Sequence, residues 1–537
     1  MVSGGNAVGL AGLQDSLLNA WRLRYPRAMI SIALAVLVWT AFAPVLRNGF
    51  VGYDDPDYVT ANPHVNTGLT VGNAVWAVRE AHANNWHPLT WLSHQTDWSL
   101  FGPNARGHHL SSLILHTANT LLLFLWLSGA TGNCWASAFV AAVFGVHPAH
   151  VESVAWVSER KDVLGAFFGI LALMLYTRRR IWWALALFAA SLAAKQTLVT
   201  LPLVLLALDW WPLRWKDPPD RLVLEKVPFF ALAGLASAVA LWAQRAGGAL
   251  AASGQLPLST RVANAICSYV RYLGATIWPV NLAVFYPYPA GGISQWAVAA
   301  SVLVVAAITG AAFAMRKQRP WLLSGWIWYA LMLLPAIGIV QVGMQAMADR
   351  YLYVPMIGLT IAIAWTAGES RRVAWGAGAV VAICALLTWH QVHFWKDGET
   401  LWRHAAAVTK GNYVAHDNLG VELEHAGHSE EALAEYRKAV AARPGDRNSE
   451  YNYGQALFAK GERVLQAGEY REAAALFEEG LRHNPRSAPA ETYLGVAKAI
   501  DGDVRAAMAC FDAALRIDPE YRPARKARAE VARSMRQ

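Results

Sequence analysis

The sequence predicts an all-α chain in two parts, a polytopic membrane helix bundle of about eleven spans followed by a helical-repeat solenoid. Three observations predict it. Charge is divided unevenly, with 25 basic and 15 acidic residues among the first 392 and 21 and 22 among the last 145. The first part is too poor in charge for a water-facing surface, and the second has ordinary soluble composition. The first part also contains a series of apolar runs, and the second repeats one helical spacing three times. A single soluble globule is excluded.

Spans of roughly 17 to 25 apolar residues cross the hydrocarbon core. Candidates fall at 28–46, 109–129, 135–152, 163–177, 181–194, 197–211, 227–244, 296–315, 321–341, 351–367 and 373–391. The stretch from Ile181 to Trp211 is too long for one crossing, so a break is expected at Lys195-Gln196. Residues 263–279 carry Arg271, costly at mid-bilayer, and are expected to be interfacial or re-entrant. The first apolar run lacks a small-residue cleavage site after it and is expected to stay as a span.

The net charge of +9 does not indicate nucleic acid, because the excess flanks the apolar runs. Arg22, Arg24 and Arg27, Arg178 to Arg180, Arg214 to Lys226, Arg316 to Arg319 and Arg371-Arg372 fall on one side, the cytoplasm by the positive-inside rule. The loop 47–108, the turn 153–162, Lys195, the loop 245–295, Arg350 and residues 393–537 then face the other side. Cys134, Cys267, Cys384 and Cys510 have no metal-like spacing, so neither a disulfide framework nor a zinc site is expected.

Within 393–537, Leu419-Gly420, Ala432, Tyr436, Ala439 and Pro444 recur as Leu494-Gly495, Ala507, Phe511, Ala514 and Pro519. This is the tetratricopeptide (TPR) spacing. A middle copy, Tyr453-Gly454 to Ala473, Phe477, Gly480 and Pro485, has seven extra residues between its halves. Thr400–Lys410 and the basic segment Pro523–Arg536 suit capping roles, and the array offers a surface for a protein or peptide partner.

Asp54 and Asp55 begin the first long polar loop. Adjacent carboxylates there can act as a general base, hold a divalent cation, or solvate a loop. His87, His94, His108 and His109 share that loop, and His109 and His116 lie on one helix face. The run His147 to Glu152, with His150 between, lacks the i, i+4 histidine pair of metalloproteases, which disfavours a metal there. Arg160, Lys161, Lys195 and Arg350 are cations next to apolar runs. They require either internal carboxylates, such as Glu159, Asp162 and Asp349, or an anionic ligand such as a lipid phosphate. Aromatic-rich grooves between such spans suit a polyprenyl tail.

The run His147 to Asp162, Ala194-Lys195-Gln196-Thr197 leading to Leu208-Asp209-Trp210-Trp211-Pro212-Leu213, Phe285-Tyr286-Pro287-Tyr288-Pro289 and Asp349-Arg350-Tyr351 followed by TPRs together resemble the transmembrane and TPR-containing proteins, particularly bacterial members. The resemblance spans nearly the whole chain. It implies a GT-C-like glycosyltransferase fold similar to protein O-mannosyltransferases, with a polyprenyl-phosphate-linked sugar donor and an inverting single displacement. Asp54 and Asp55 match the acidic motif whose carboxylate deprotonates the acceptor hydroxyl. His109, His147, His150, Glu152, Arg160, Lys161, Lys195 and Arg350 become candidates for substrate contact, the last four for phosphate. Gln196 stands where eukaryotic members often have Glu, which removes one carboxylate partner for Lys195.

The implied function is transfer of a sugar, mannose by analogy, to a protein Ser or Thr hydroxyl. The implied location is a bacterial inner membrane, with the site and TPRs facing the periplasm. A membrane-anchored TPR scaffold without enzymatic activity is the alternative. A transporter would be favoured by internally repeated span patterns, which the sequence does not display.

Overall fold

The computed structural model describes residues 27–248, 256–341, 343–368 and 370–534. Arg22, Arg24 and Arg536 lie outside these residues. The described chain is all-α apart from one antiparallel pair, Tyr286–Pro287 with Gln345–Met347. It forms two compact units, Met1–Leu401 and Trp402–Gln537.

The eleven expected runs fall mostly on helices, with 337–341 and 353–355 outside them, but the expected eleven full crossings require correction. Among the described residues, five helices are long and apolar enough to cross a membrane: Arg27–Arg47, Ala105–Thr131, Pro219–Ala246, Gln295–Ala314 and Arg371–His393. The expected span 135–152 is instead two helices, Cys134–Val146 and Pro148–Ala155, bent by 54° at the break. Pro148 cannot donate a backbone N–H, so the helix ends before it. Ile181–Ala194, Gln196–Trp210, Pro320–Ala336 and Met356–Ala367 are shorter. The break at Lys195 is present, with an extended residue between the first two of these. Leu258–Ile277 is a helix in which Asn264, Cys267, Ser268 and Tyr272 are buried while Arg271 stays exposed and reaches along the helix to donate to Asn264 Oδ1 at 3.3 Å.

Large apolar side chains point outward from these helices, among them Trp296 at 85% exposure and Leu303 at 70%. A water-facing surface would not hold so many, whereas lipid-facing helices do. Turns are tight where the sequence permits. Gly132, with φ 74°, ends Ala105–Thr131, and the Asn133 side chain then caps the next helix by accepting from the Ala136 N–H at 2.9 Å. Helices Pro320–Leu333 and Met356–Ala367 cross at their glycines. A Cβ on Gly325 would lie 2.3 Å from the Gly358 carbonyl oxygen, and one on Gly358 would lie 2.2 Å from that of Gly325. Small residues let membrane helices approach this closely.

The second unit is the TPR solenoid. Its antiparallel pairs are Tyr413–His425 with Ser429–Ala442, Arg447–Gln466 with Tyr470–His483, and Ala488–Ile500 with Val504–Ile517. The seven extra residues lengthen one helix, Arg447–Gln466, to 20 residues against 13 in its counterparts. Buried Ala432, Tyr436 and Ala439, then Ala473, Phe477 and Gly480, form the repeated contacts. Arg522–Ser534 closes the array by packing Ala524 against Ala488 and Ala514.

Gly358→Val should therefore force the two crossing helices apart and cost about 1–3 kcal/mol. Gly376→Ala meets nothing within 4 Å and should be neutral. Thermal midpoints of the detergent-purified chain check both.

Candidate active site

Just past the first span the chain is tied back, with Asn48 Nδ2 donating to the Val392 carbonyl at 3.1 Å and Gly49 N–H donating to that of Lys396 at 2.8 Å. Asp55 then pins the loop. Its Oδ2 accepts from the Val51 N–H at 2.9 Å, and its Oδ1 accepts from the Ser158 N–H at 2.9 Å and the Ser158 hydroxyl at 2.5 Å. Burial pushes the Asp55 carboxyl up to about 6 against the pull of these bonds. With both oxygens engaged and the residue 1% exposed, Asp55 is not placed to take a substrate proton. Of the two expected carboxylates, Asp55 is thus engaged in holding the loop, and Asp54 is the one that keeps partial exposure.

Asp54 is only partly covered. Burial raises its pKa above the ordinary carboxylate value. Lys161 and Arg350 oppose that rise, and Glu159 and Asp57 add to it. Beside it, Tyr53 stacks on Trp156 with ring centroids 5.4 Å apart. The Arg350 guanidinium lies over the same indole at 5.4 Å.

Glu159 is the centre of the cation cluster. Its Oε1 lies 3.1 Å from Lys161 Nζ and 3.2 Å from Arg350 Nε, and its Oε2 lies 2.9 Å from Lys195 Nζ. Lys195 also meets Asp162 Oδ1 at 2.7 Å. Lys161 donates to the Ser158 carbonyl at 3.0 Å and sits 4.3 Å over the Tyr58 ring. Arg350 pairs with Glu152 through Nη1, and its backbone N–H donates to Glu152 Oε2 at 2.8 Å. Internal carboxylates thus neutralise the cations, and Lys195 is paired by Glu159 and Asp162 without a carboxylate at position 196. Gln196 instead bonds His87 Nε2 at 2.9 Å and donates to the Trp86 carbonyl at 2.6 Å.

Asp349, the expected partner of Arg350, instead accepts from the Tyr286 hydroxyl at 2.9 and 3.0 Å, and Glu152 and Glu159 take its expected role. Arg160 is also corrected. It donates to Ser112 Oγ, Ser93 Oγ and the His108 carbonyl, and its Nη1 is ion-paired with Asp97 Oδ2 at 2.7 Å. At 0% side-chain exposure it cannot meet a lipid phosphate. His109 Nε2 bonds the Gly49 carbonyl at 3.1 Å, His147 Nε2 that of Thr276 at 3.1 Å, and His150 Nδ1 that of Phe144 at 2.8 Å. These three are buried supports rather than substrate contacts. Glu152 holds Arg350 instead of a ligand.

Lys195 and Arg350 keep 12% side-chain exposure, the most of the four cations. Arg350 and Asp162 line a small cavity with Tyr351 and Tyr353. The Nη2 group of Arg350 has no hydrogen bond among the described residues. An apolar groove of about 320 Å³ runs between Leu258–Ile277, Gln295–Ala314, Pro320–Leu333 and Met356–Ala367, lined by Leu273, Ile308, Trp326 and Leu359. The cluster sets a partly exposed carboxylate and a guanidinium close together, and the apolar groove is lined by a separate set of residues.

The residue most clearly missed from the sequence is Asp97. His94 and Asp97, three apart on helix Pro88–Phe101, share a face, and that spacing was the available signal.

Glu159→Gln leaves three buried cations short of a partner and should cost about 3–5 kcal/mol, the cost of breaking a buried pair. A thermal midpoint within error of the unmodified chain contradicts this assignment.

No protein-family model matches the chain. Curated relatives do. Protein O-mannosyl-transferase Tmtc1 of Drosophila melanogaster is 30% identical over 38% of this chain and 25% of its own length. Protein O-mannosyl-transferase F38B6.6 of Caenorhabditis elegans is 25% identical over 76% of this chain and 63% of its own. Human protein O-mannosyl-transferase TMTC3 is 25% identical over 84% of this chain and 56% of its own. The chain therefore spans less than two thirds of each. Among solved structures, the APC/C hetero-tetramer Cut9-Hcn1 aligns over 83% of the chain at 13% identity and a TM-score of 0.23, too low to establish a shared fold. The chain is thus similar, over most of its length, to proteins named for protein O-mannosyl transfer.

Proposed function

We propose that this chain is an integral-membrane glycosyltransferase of the GT-C type. It moves a sugar, mannose by analogy with its relatives, from a polyprenyl-phosphate donor to a protein Ser or Thr hydroxyl. The side is extracytoplasmic, the periplasm of a bacterial inner membrane, and the TPR unit presents the acceptor. The observation that carries the reading is Asp54, partly exposed and raised in pKa, electrostatically coupled to Lys161 and Arg350. Likeness to proteins named protein O-mannosyl-transferases supports it.

The acceptor oxygen attacks the anomeric carbon while Asp54 takes its proton. The bond from that carbon to the phosphate oxygen breaks, the anomeric configuration inverts, and the lipid phosphate leaves. Charge grows on the leaving phosphate, so a donor aimed at it is worth most in the transition state. Arg350 Nη2 and the remaining N–H of Lys195 supply that donation, while Lys161 holds Asp54 ionised. The apolar groove takes the lipid tail.

Helix Arg160–Thr177 supports this sidedness. Its 18 residues span about 27 Å, close to the hydrocarbon thickness. One end lies at the Glu159 cluster. The other meets a second buried set, Lys226 with Asp209 and Tyr176 donating to Asp209 at 2.6 Å, next to the basic run Arg178 to Arg180.

Purified chain supplied with a labelled polyprenyl-phosphate sugar should lose transfer about 10²–10⁴-fold in Asp54→Asn, at an unchanged thermal midpoint. Asp55→Asn should mainly lower the midpoint, because its amide would meet the Val51 N–H donor. Full activity in a folded Asp54→Asn variant removes Asp54 as base.

The rate should also fall as pH drops, since the base must be ionised. Because burial raises the Asp54 pKa, the fall should begin above the ordinary carboxylate range. A rate flat down to the ordinary range contradicts it.

A further inference from the structure

We propose that His94, Asp97 and His108 form a buried site for a divalent transition-metal cation of the zinc class, separate from the Glu159 cluster. One ligand atom from each lies within 4.8 Å of the others. His94 is 0% exposed, and neither of its ring nitrogens has a hydrogen bond among the described residues. A buried polar atom left unpaired costs about 1–3 kcal/mol, so two on one ring call for an explanation.

His108 supplies a second, independent observation. Its Nε2 faces the Gly102 carbonyl at 3.0 Å and must carry a proton to bond there. In the neutral ring that leaves a lone pair on Nδ1, directed at Asp97 Oδ2 only 3.8 Å away. Two electron-rich atoms face one another, and Nδ1 has no hydrogen bond among the described residues. A cation between them resolves the conflict, since zinc takes imidazole nitrogen and carboxylate oxygen at about 2.0–2.2 Å. A ring that ligates through one nitrogen while the other donates to a backbone carbonyl is the usual support for such a ligand.

Arg160 is the opposing consideration. Its Nη1 lies 2.7 Å from the same Asp97 Oδ2. A carboxylate oxygen has two lone pairs, so guanidinium and metal can share it, while Oδ1 accepts from Ser111 at 2.7 Å. The guanidinium charge weakens the site for a cation relative to the same ligands alone. Two imidazoles and one carboxylate suit zinc, cobalt or iron better than magnesium or calcium, which prefer oxygen. The bound ion would brace helix Pro88–Phe101 against the first turn of Ala105–Thr131.

The full-length chain, purified in detergent without chelator or metal-affinity resin, is expected to hold about one such ion by elemental mass spectrometry. After chelation, added zinc should raise its thermal midpoint, and cobalt(II) should give visible d–d absorption. His94→Gln and His108→Gln, checked for folding by elution profile and metal-free midpoint, should each lower retention at least ~10-fold. If one variant does not fold, the other and the cobalt spectrum of the unmodified chain decide. The inference is overturned if the unmodified chain binds neither zinc, cobalt nor iron, or if folded variants hold metal as it does. Since neither readout uses sugar transfer, the result is independent of the proposed activity.

Discussion

The membrane unit is organised around one buried carboxylate. Glu159 meets Lys161, Lys195 and Arg350, three cations from separate stretches of the chain, at 2.9 to 3.2 Å. A single buried charge is expensive, and a cluster is tolerated only when each member is paired and hydrogen-bonded. Pairing therefore fixes where the turn 156–162, the Lys195 break and the Arg350 segment must meet. The acidic loop follows, because Asp55 bonds Ser158, the residue before Glu159.

This explains the division of labour between the adjacent aspartates. One is spent on architecture, with every oxygen accepting a bond from protein. The other, Asp54, is partly exposed and feels Lys161 and Arg350 electrostatically, with no side-chain hydrogen bond among the described residues. A base needs that combination of a raised pKa and an open face. Arg350 has the matching position among the cations, with one amino group outside the network.

Much of this was legible in the sequence for a physical reason. Apolar runs and charge clusters announced the membrane helices, because lipid forbids exposed charge. TPR positions repeat because each small residue admits a neighbour's ring, as Gly420 does for Tyr436 and Gly495 for Phe511. The cations beside the spans were visible too. What stayed hidden was pairing at long range. Arg350 chose Glu152, 198 residues away, over the adjacent Asp349, and Arg160 turned inward to Asp97. Adjacency in sequence says nothing about which way a side chain faces. The roles of the three supporting histidines were likewise set by packing that no local pattern reports, whereas the bend at Pro148 had a local signal in the proline itself.

The convergence of distant charges on Glu159 is tested most directly by a double-mutant cycle with Arg350. Stabilities of the unmodified chain, Glu159→Gln, Arg350→Met and the double variant give the coupling free energy. The account predicts a coupling of at least ~1.5 kcal/mol, within the range for residues in one ion-pair network. Effects that add to within about 0.5 kcal/mol would mean the two residues do not meet, and the site as described would not exist.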